Sequence, residues 1–367
     1  MRKLSTRAVI SAFAVVVMSV SACGNSSSSD DKSGGDGSTV TITDQRGKEV
    51  KVKSPADKIA TTVIPSPFII AAIDGSWDRV VGVNESSIKA AKEGITGKIF
   101  PDAAKTATIS GDDFVPNMET ILGLEPDVVI QWGDQGDDVI RPIEESGVPV
   151  VGLEYGTQEK LEQWITMFGQ MVGKEDRAEE IIKTMHTQSQ ELQDKTKDIE
   201  TKPRVLQLSY SDSKLGVATG DDYAQHVFDL INAENVAKDA TVDDGSVSAE
   251  QIIAWDPEVI FLSAFDPATP DDIYSDERFA DVSAVKNKRV YRAPLGVYRW
   301  QVPCAESPLY WNWAAALVHP EHIDVDLPAM MREQIKFMYN YDLTQEDIDL
   351  TLRTDINNGS ANYDRVQ

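Results

Sequence analysis

The feature that most limits what this chain can fold into is a stretch written twice. Met118 to Ile130 reads METILGLEPDVVI, and Ala249 to Phe261 reads AEQIIAWDPEVIF. One offset relates the copies throughout: Glu119 matches Glu250 (250 − 119 = 131) and Pro126 matches Pro257 (257 − 126 = 131). Each copy runs glutamate, short apolar helix, acidic residue before proline, then a β-branched run. Ile121, Leu122 and Leu124 mark the apolar face of the first helix, and Ile252, Ile253 and Trp255 that of the second. Proline disfavours the α region in the residue before it, so the helices are expected to end at Glu125 and Asp256. Val128 to Ile130 and Val259 to Phe261 then read as buried strands, near-continuously apolar as parallel sheets require. Two such units at a fixed offset predict two lobes of similar build facing each other.

A chain of 367 residues has room for two domains, and 41% hydrophobic residues supply real cores. A net charge of −25 argues against nucleic acid as a partner, because phosphate binding needs clustered cations. The N-terminus has the three parts of a secretion signal: basic Arg2, Lys3 and Arg7, an apolar run from Ala8 to Val20 too short to span a bilayer, and a small-residue site, Val20-Ser21-Ala22, before Cys23. Removing residues 1–22 removes three positive charges, leaving −25 − 3 = −28. Residues 23–39 are rich in Ser, Asp, Gly and Asn and read as a flexible tether. The second cysteine, Cys304, has no partner once Cys23 is modified; it reads as a buried small hydrophobe rather than a soft metal ligand.

The body is read as a hairpin turning at Arg46-Gly47, then alternating strands and helices over residues 40–157, with Thr108 to Pro116 as a loop. Residues 158–200 carry no proline and form a linking helical segment whose second helix, from about Glu175, is long. Residues 201–356 repeat the alternation, and 357–367 look frayed. The fold class is α/β, two lobes with mostly parallel sheets joined by one long helix. No G-x-S-x-G elbow and no H-E-x-x-H motif is present, so no hydrolase signature supports an enzyme. His319 and His322 flank Pro320 at a helix start and read as structural, so no resident metal or cofactor is expected.

TDQRGKEV near the start, PNMETILGLEPDVVI, GVPVV, GKEDRAEEI, VSAEQIIAWDPEVIF, AVKNKRVY and YNYDLT recur in one order along nearly the whole mature chain. Together they resemble the substrate-binding proteins of bacterial ATP-driven importers for iron–siderophores, haem and cobalamin. The resemblance implies two α/β lobes on a rigid backbone helix and a monomer that serves an ABC permease dimer with its ATPase. It makes Val20-Ser21-Ala22-Cys23 a lipobox, with Cys23 as the lipid anchor that holds the protein outside the cytoplasm on the cell membrane. It also makes Glu119 and Glu250 docking residues, one per lobe, for arginines on the two permease subunits.

Ligand contacts are expected where strands end at the crevice between the lobes. On the first lobe these are Phe68, Gln131, Trp132 and Tyr155; on the second, Tyr210, Phe265, Tyr298, Arg299 and Trp300. Aromatics offer flat area to a bulky chelate, and Arg299 offers charge to an anionic one. A ferric siderophore is the expected cargo. Cobalamin is kept open by Trp132 and Trp300, and haem by a cleft tyrosine as axial ligand.

The anchor yields a direct test. Cys23→Ala is expected to release the processed body from the membrane fraction or to block maturation; a processed variant that still sediments with membranes contradicts the lipobox.

Overall fold

The structure is a computed structural model that describes residues 38–211, 214–242 and 246–367. Cys23, the signal segment and all of the tether up to residue 37 lie outside the described residues.

Two parallel sheets bear out the α/β reading. After a hairpin of β1 (Thr39–Thr43) and β2 (Glu49–Lys53), whose turn places Gly47 at φ 76°, the first lobe is built on five strands. These are β3 (Ile59–Thr61), β4 (Val80–Asn84), β5 (Ala107–Ser110), β6 (Val128–Trp132) and β7 (Val150–Leu153), in the order β5-β4-β3-β6-β7, all parallel. The second lobe holds β8 (Arg204–Ser211), β9 (Lys214–Val217), β10 (Glu234–Asn235), β11 (Val259–Leu262) and β12 (Val290–Arg292). Its order is β10-β8-β11-β12, parallel, with β9 added antiparallel on β8.

The duplicated stretch occupies the same place in both sheets. β6 lies beside β3, the first strand of its sheet, and β11 lies beside β8, the first of the other. The helices before them, Met118–Leu124 and Ala249–Trp255, begin on Asn117 and Ser248, whose side chains accept from the backbone N–H three residues on. They stop where expected, but by a left-handed residue rather than an extended one: Glu125 has φ 50° and Asp256 φ 43°. The matching extends beyond the helices. Asp127, after Pro126, accepts from the Lys58 N–H at 3.0 Å just before β3; Glu258, after Pro257, accepts from the Arg204 N–H at 2.9 Å at the start of β8. Lys58 and Arg204 in turn face Glu125 at 3.6 Å and Asp256 at 3.4 Å. Each repeat thus ties its acid-proline-acid corner to the basic residue that opens the neighbouring strand, which fixes how helix and strand meet.

Between the lobes run two helices, Gln158–Val172 and Glu175–Thr196, separated by Gly173 at φ 66°. The first packs on helix Ser66–Asp74 and β1 of the first lobe. The second packs on helices Ser307–Val318 and Tyr223–Leu230 of the second lobe. It holds no proline or glycine over its 22 residues, so nothing in it bends sharply.

Two expectations fail. The segment from Thr108 is not wholly loop: Ala107–Ser110 is the edge strand β5, too short and too polar to carry a clear alternation. The tail is not frayed. Asn357 is buried and donates to the Arg292 carbonyl at 3.0 Å, Ala361 N–H donates to Lys288 O at 2.7 Å, and Tyr363 and Val366 are buried. Its polar composition hides two apolar anchors that close the core beside β12. Among the described residues no helix is long and apolar enough to cross a membrane.

Candidate ligand site

The cleft candidates lie in the last residues of a strand, as Gln131, Trp132 and Tyr210 do, or beyond its carboxyl end, the edge at which open parallel sheets place ligands. In the first lobe β4 runs into helix Glu85–Glu93, capped by Asn84. The Asn84 Oδ1 accepts from Ser86 N–H at 2.8 Å, while its Nδ2 donates to Ser110 Oγ at 3.0 Å and Gly111 O at 2.7 Å, locking the helix start to the end of β5. In the second lobe Phe265 follows β11, and Arg299 follows β12. Facing these two residues, Glu85, Ser86, Ile88, Lys89, Lys92, Glu93 and Asp112 close a hollow of about 620 Å³ that straddles the lobes. Phe265 also borders a second hollow of about 450 Å³, lined by Tyr210, Asp222, Gln301 and other second-lobe residues.

Arg299 is the polar centre of this wall. It is 1% exposed, its guanidinium lies 4.3 Å above the Phe265 ring, and its Nη1 donates to the Ser86 carbonyl at 3.3 Å across the lobe boundary. Its Nε has no partner among the described residues. Tyr210 is partly buried and donates from its hydroxyl to Asp276 Oδ2 at 3.0 Å.

Other candidates sit deeper than expected. Phe68 and Tyr298 are 1% exposed and stack on each other at 4.7 Å, so they join the lobes rather than face open space. Trp300 is fully buried and donates its indole N–H to Glu306. Trp132 is 6% exposed and meets Phe114, Tyr155 and Trp164 edge-on, with its indole N–H unpartnered. Gln131 is fully used inside the lobe: it accepts from Thr62 and from Trp132 N–H, and donates to Phe114 O and Val139 O. The sequence signals an aromatic near a strand end; it does not signal whether the opposite lobe covers it. Burial raises the Tyr155 and Tyr298 hydroxyls well above the usual phenol range, which opposes the phenolate an axial haem ligand would require.

One residue that sequence reading passed over positions the rest. Glu306 is 1% exposed, just before helix Ser307–Val318. Its carboxyl accepts from Val297 N–H at 3.1 Å, from the Trp300 indole and from the Tyr339 hydroxyl at 3.2 Å. That holds the loop from Pro294 to Trp300, which in turn receives the first lobe: Ile95 N–H donates to Gly296 O at 3.1 Å, and Thr96 Oγ1 to Val297 O. A Cβ at Gly94 would lie 2.4 Å from Gly296 O, and one at Gly296 would lie 2.1 Å from Glu306 Oε2, so this seam needs glycine on both sides. Lys98 adds an ion pair to Asp347 at 2.6 Å across the same seam. Cys304 is buried beside Ser307, and burial pushes its thiol up. His319 is buried with Nε2 against Ile231 O at 2.8 Å. Among the described residues no group of three or more His, Cys, Asp or Glu is placed to hold a metal ion.

On the outer surface, Glu119 and Glu250 are both exposed in the first turn of their helices. One turn on, Leu122 is 48% and Ile253 39% exposed, at equivalent repeat positions.

Comparison with known proteins follows the same lines. A family model described as "Periplasmic binding protein" matches residues 69–295. The crystal structure of a periplasmic solute binding protein from Veillonella parvula is similar at TM-score 0.78 and 33% identity, covering 88% of this chain and 99% of that one. The molybdate-binding protein MolA of Haemophilus influenzae is 24% identical over 82% of this chain and 88% of its own length. The iron(3+)-hydroxamate-binding protein FhuD of Bacillus subtilis is 24% identical over 77% of this chain and 89% of its own.

Burial of Glu306 gives a pH prediction. Desolvation raises its carboxyl from 4.5 to about 7, against the bonds it accepts from Trp300, Val297 and Tyr339. The folded state binds this proton more tightly than the unfolded state. The group therefore contributes stability below about pH 4.5 that is lost as pH rises through about 7, on the order of 3 kcal/mol. Thermal unfolding of wild type and Glu306→Gln across pH 4 to 8 should show this slope in the first and not in the second; an unchanged slope would assign it to other groups.

Proposed function

The chain belongs to the periplasmic binding protein family and is the substrate-binding component of an ABC importer, not an enzyme; on that premise we propose that it captures a ferric siderophore or similar iron chelate between its lobes and hands it to the permease. The observation that carries this is the hollow of about 620 Å³ closed by helix Glu85–Glu93 on one side and Phe265 with Arg299 on the other. Hollows of roughly 300–1,000 Å³ take drug-sized ligands. Phe265 supplies a flat apolar wall, Arg299 a charge, and Tyr210 aromatic surface in the second hollow that Phe265 also borders; Trp132 and Tyr155 pack against each other behind it. Phe68, Tyr298 and Trp300 would act from behind, by holding the Arg299 loop.

A second reading takes an inorganic oxyanion such as molybdate. The unpartnered Arg299 Nε favours it, and so does the name of one relative. A bare tetrahedral oxyanion would fill only a small part of the hollow, so the chelate remains the first reading. The same volume keeps cobalamin third; haem is disfavoured by the protonated tyrosines.

Docking to the permease is proposed through Glu119 and Glu250. A pair of carboxylates on equivalent helices suits a two-fold partner, and complementary charge sets register and encounter rate. Leu122 and Ile253, exposed beside them, would add apolar contact on each side. The proposed anchor at Cys23 would keep the protein at the membrane that holds the permease.

The function is tested by tryptophan fluorescence titration with ferric trihydroxamate, ferric tris-catecholate, ferric citrate, molybdate, haem and cobalamin, followed by uptake with Glu119→Ala/Glu250→Ala. Saturable binding of a ferric chelate, kept by the double variant while uptake is lost, is the expected result. Binding of molybdate alone would move the cargo to the second reading. Loss of ligand affinity in the double variant would contradict the docking role.

A further inference from the structure

Three arginines of the second lobe converge with no carboxylate in contact. Arg292 ends β12 and is 8% exposed; Arg299 is 1% exposed; Arg353 ends helix Gln345–Leu352 and is partly buried. The backbone brings them together: Leu295 N–H donates to Thr351 O at 3.0 Å, and Arg292 N–H to Asn357 Oδ1 at 2.8 Å, so the β12 loop and the turn at Arg353 are joined. Arg292 has one bond, from Nη2 to the Asp266 carbonyl at 2.6 Å. Its Nε, the Nε of Arg299, and both Nε and Nη2 of Arg353 are buried without partners among the described residues, as are the hydroxyls of Thr351 and Thr354. Among the described residues none of the three arginines makes an ion pair within 4.0 Å.

Such an arrangement is costly by itself. A buried charge is normally paired, and a buried donor without an acceptor carries its full desolvation penalty. Here three like charges also repel: burial, then Arg292 and Arg299, push Arg353 down to about 10. Opposing charge comes from Glu93, on the facing first-lobe helix, and from Asp266, Asp272 and Asp355; each helps to keep an arginine of the group charged. Arg353 is the left-handed cap of its helix at φ 53°, its N–H donating to Asp349 O and Leu350 O, which fixes where its side chain leaves the backbone. Like charge and unpartnered donors gathered where β12 ends, with Arg299 lining the hollow, are what a site for a multiply charged anion requires. Guanidinium forks match carboxylate and catecholate oxygens two at a time.

We propose that Arg292, Arg299 and Arg353 together form the charge-reading part of the ligand site, selecting a ferric chelate with two or more negative charges, of catecholate or carboxylate type, over a neutral hydroxamate. This rests on the importer reading for the chelate and adds the charge class and two residues, Arg292 and Arg353. The bound anion bridges guanidinium groups that repel one another in its absence, so arginine density that weakens the empty protein strengthens the loaded one.

The experiment pairs affinity with stability in the full chain, using Arg353→Gln, Arg292→Gln and the conservative Arg353→Lys. Ferric tris-catecholate and ferric citrate should bind wild type at least 10-fold more tightly than ferric trihydroxamate, with affinity falling as salt rises. Arg353→Gln should lose roughly 10- to 100-fold in affinity for the anionic chelates, yet its ligand-free thermal midpoint should equal or exceed that of wild type, because a repelling charge is gone. Arg353→Lys should recover part of the affinity. Should a variant fold poorly, wild type supplies its own check: citrate without iron should raise its melting point, and chloride at equal ionic strength should not. Equal affinity for neutral and anionic chelates, or a destabilised Arg353→Gln that binds anions normally, overturns the proposal. If no ferric chelate binds but citrate still stabilises wild type and not Arg353→Gln, the importer's cargo has been misread while the anion site stands.

Discussion

The bond set at Glu306 is what the cleft depends on. One buried carboxyl gathers Val297, Trp300 and Tyr339, and so shapes the loop that carries Arg299 forward and presents two carbonyls to the first lobe. A buried acid holding three donors is strong only while all are satisfied. Removing the carboxyl would strand the buried Trp300 indole and Val297 N–H without their acceptor, and would free Gly296 from the seam with Gly94. The ligand wall and the lobe junction are therefore one structure: the residue that orients the charged contact also sets the distance between lobes.

Around that fixed seam the two lobes remain copies of one plan. Each repeat ends its helix with a left-handed acidic residue, turns on proline, and returns a carboxylate to the first strand of its sheet. The consequence is that Glu119 and Glu250, with Leu122 and Ile253 beside them, are presented from equivalent corners, while the cleft residues are not equivalent at all. The outer surface keeps the symmetry that a two-fold partner can use. The inner surface has lost it: the second lobe contributes Arg292, Arg299 and Arg353, and the first contributes helix Glu85–Glu93 with both signs of charge.

Much of this was legible in the chain. The 131-residue offset foretold two similar sheets, because β-branched runs after a proline stop have few other uses. The long helix was legible from an unbroken apolar period between Gly173 and Pro203. Edge strand β5 is not, since four residues of which only Thr108 is exposed carry little alternation. The tail was misread because anchoring by Tyr363 and Val366 depends on a surface formed elsewhere in the chain. In the site, Arg299 is legible from its place after the last strand, whereas nothing in the sequence signals that Phe68, Tyr298 and Trp300 lie under a facing surface and not on an open wall. Glu306 and Arg353 escaped notice altogether. Nothing local distinguishes a buried glutamate before a helix, or an arginine after one, from the many exposed acids and bases of the chain.

The most direct test of the account is a crystal structure of the protein with a ferric chelate that it binds in solution. The account places the iron chelate between helix Glu85–Glu93 and the pair Phe265 and Arg299, with the loop from Pro294 to Trp300 still bonded to Glu306 and unmoved. A chelate bound outside that hollow, or a loop that leaves Glu306 to reach it, would contradict the account.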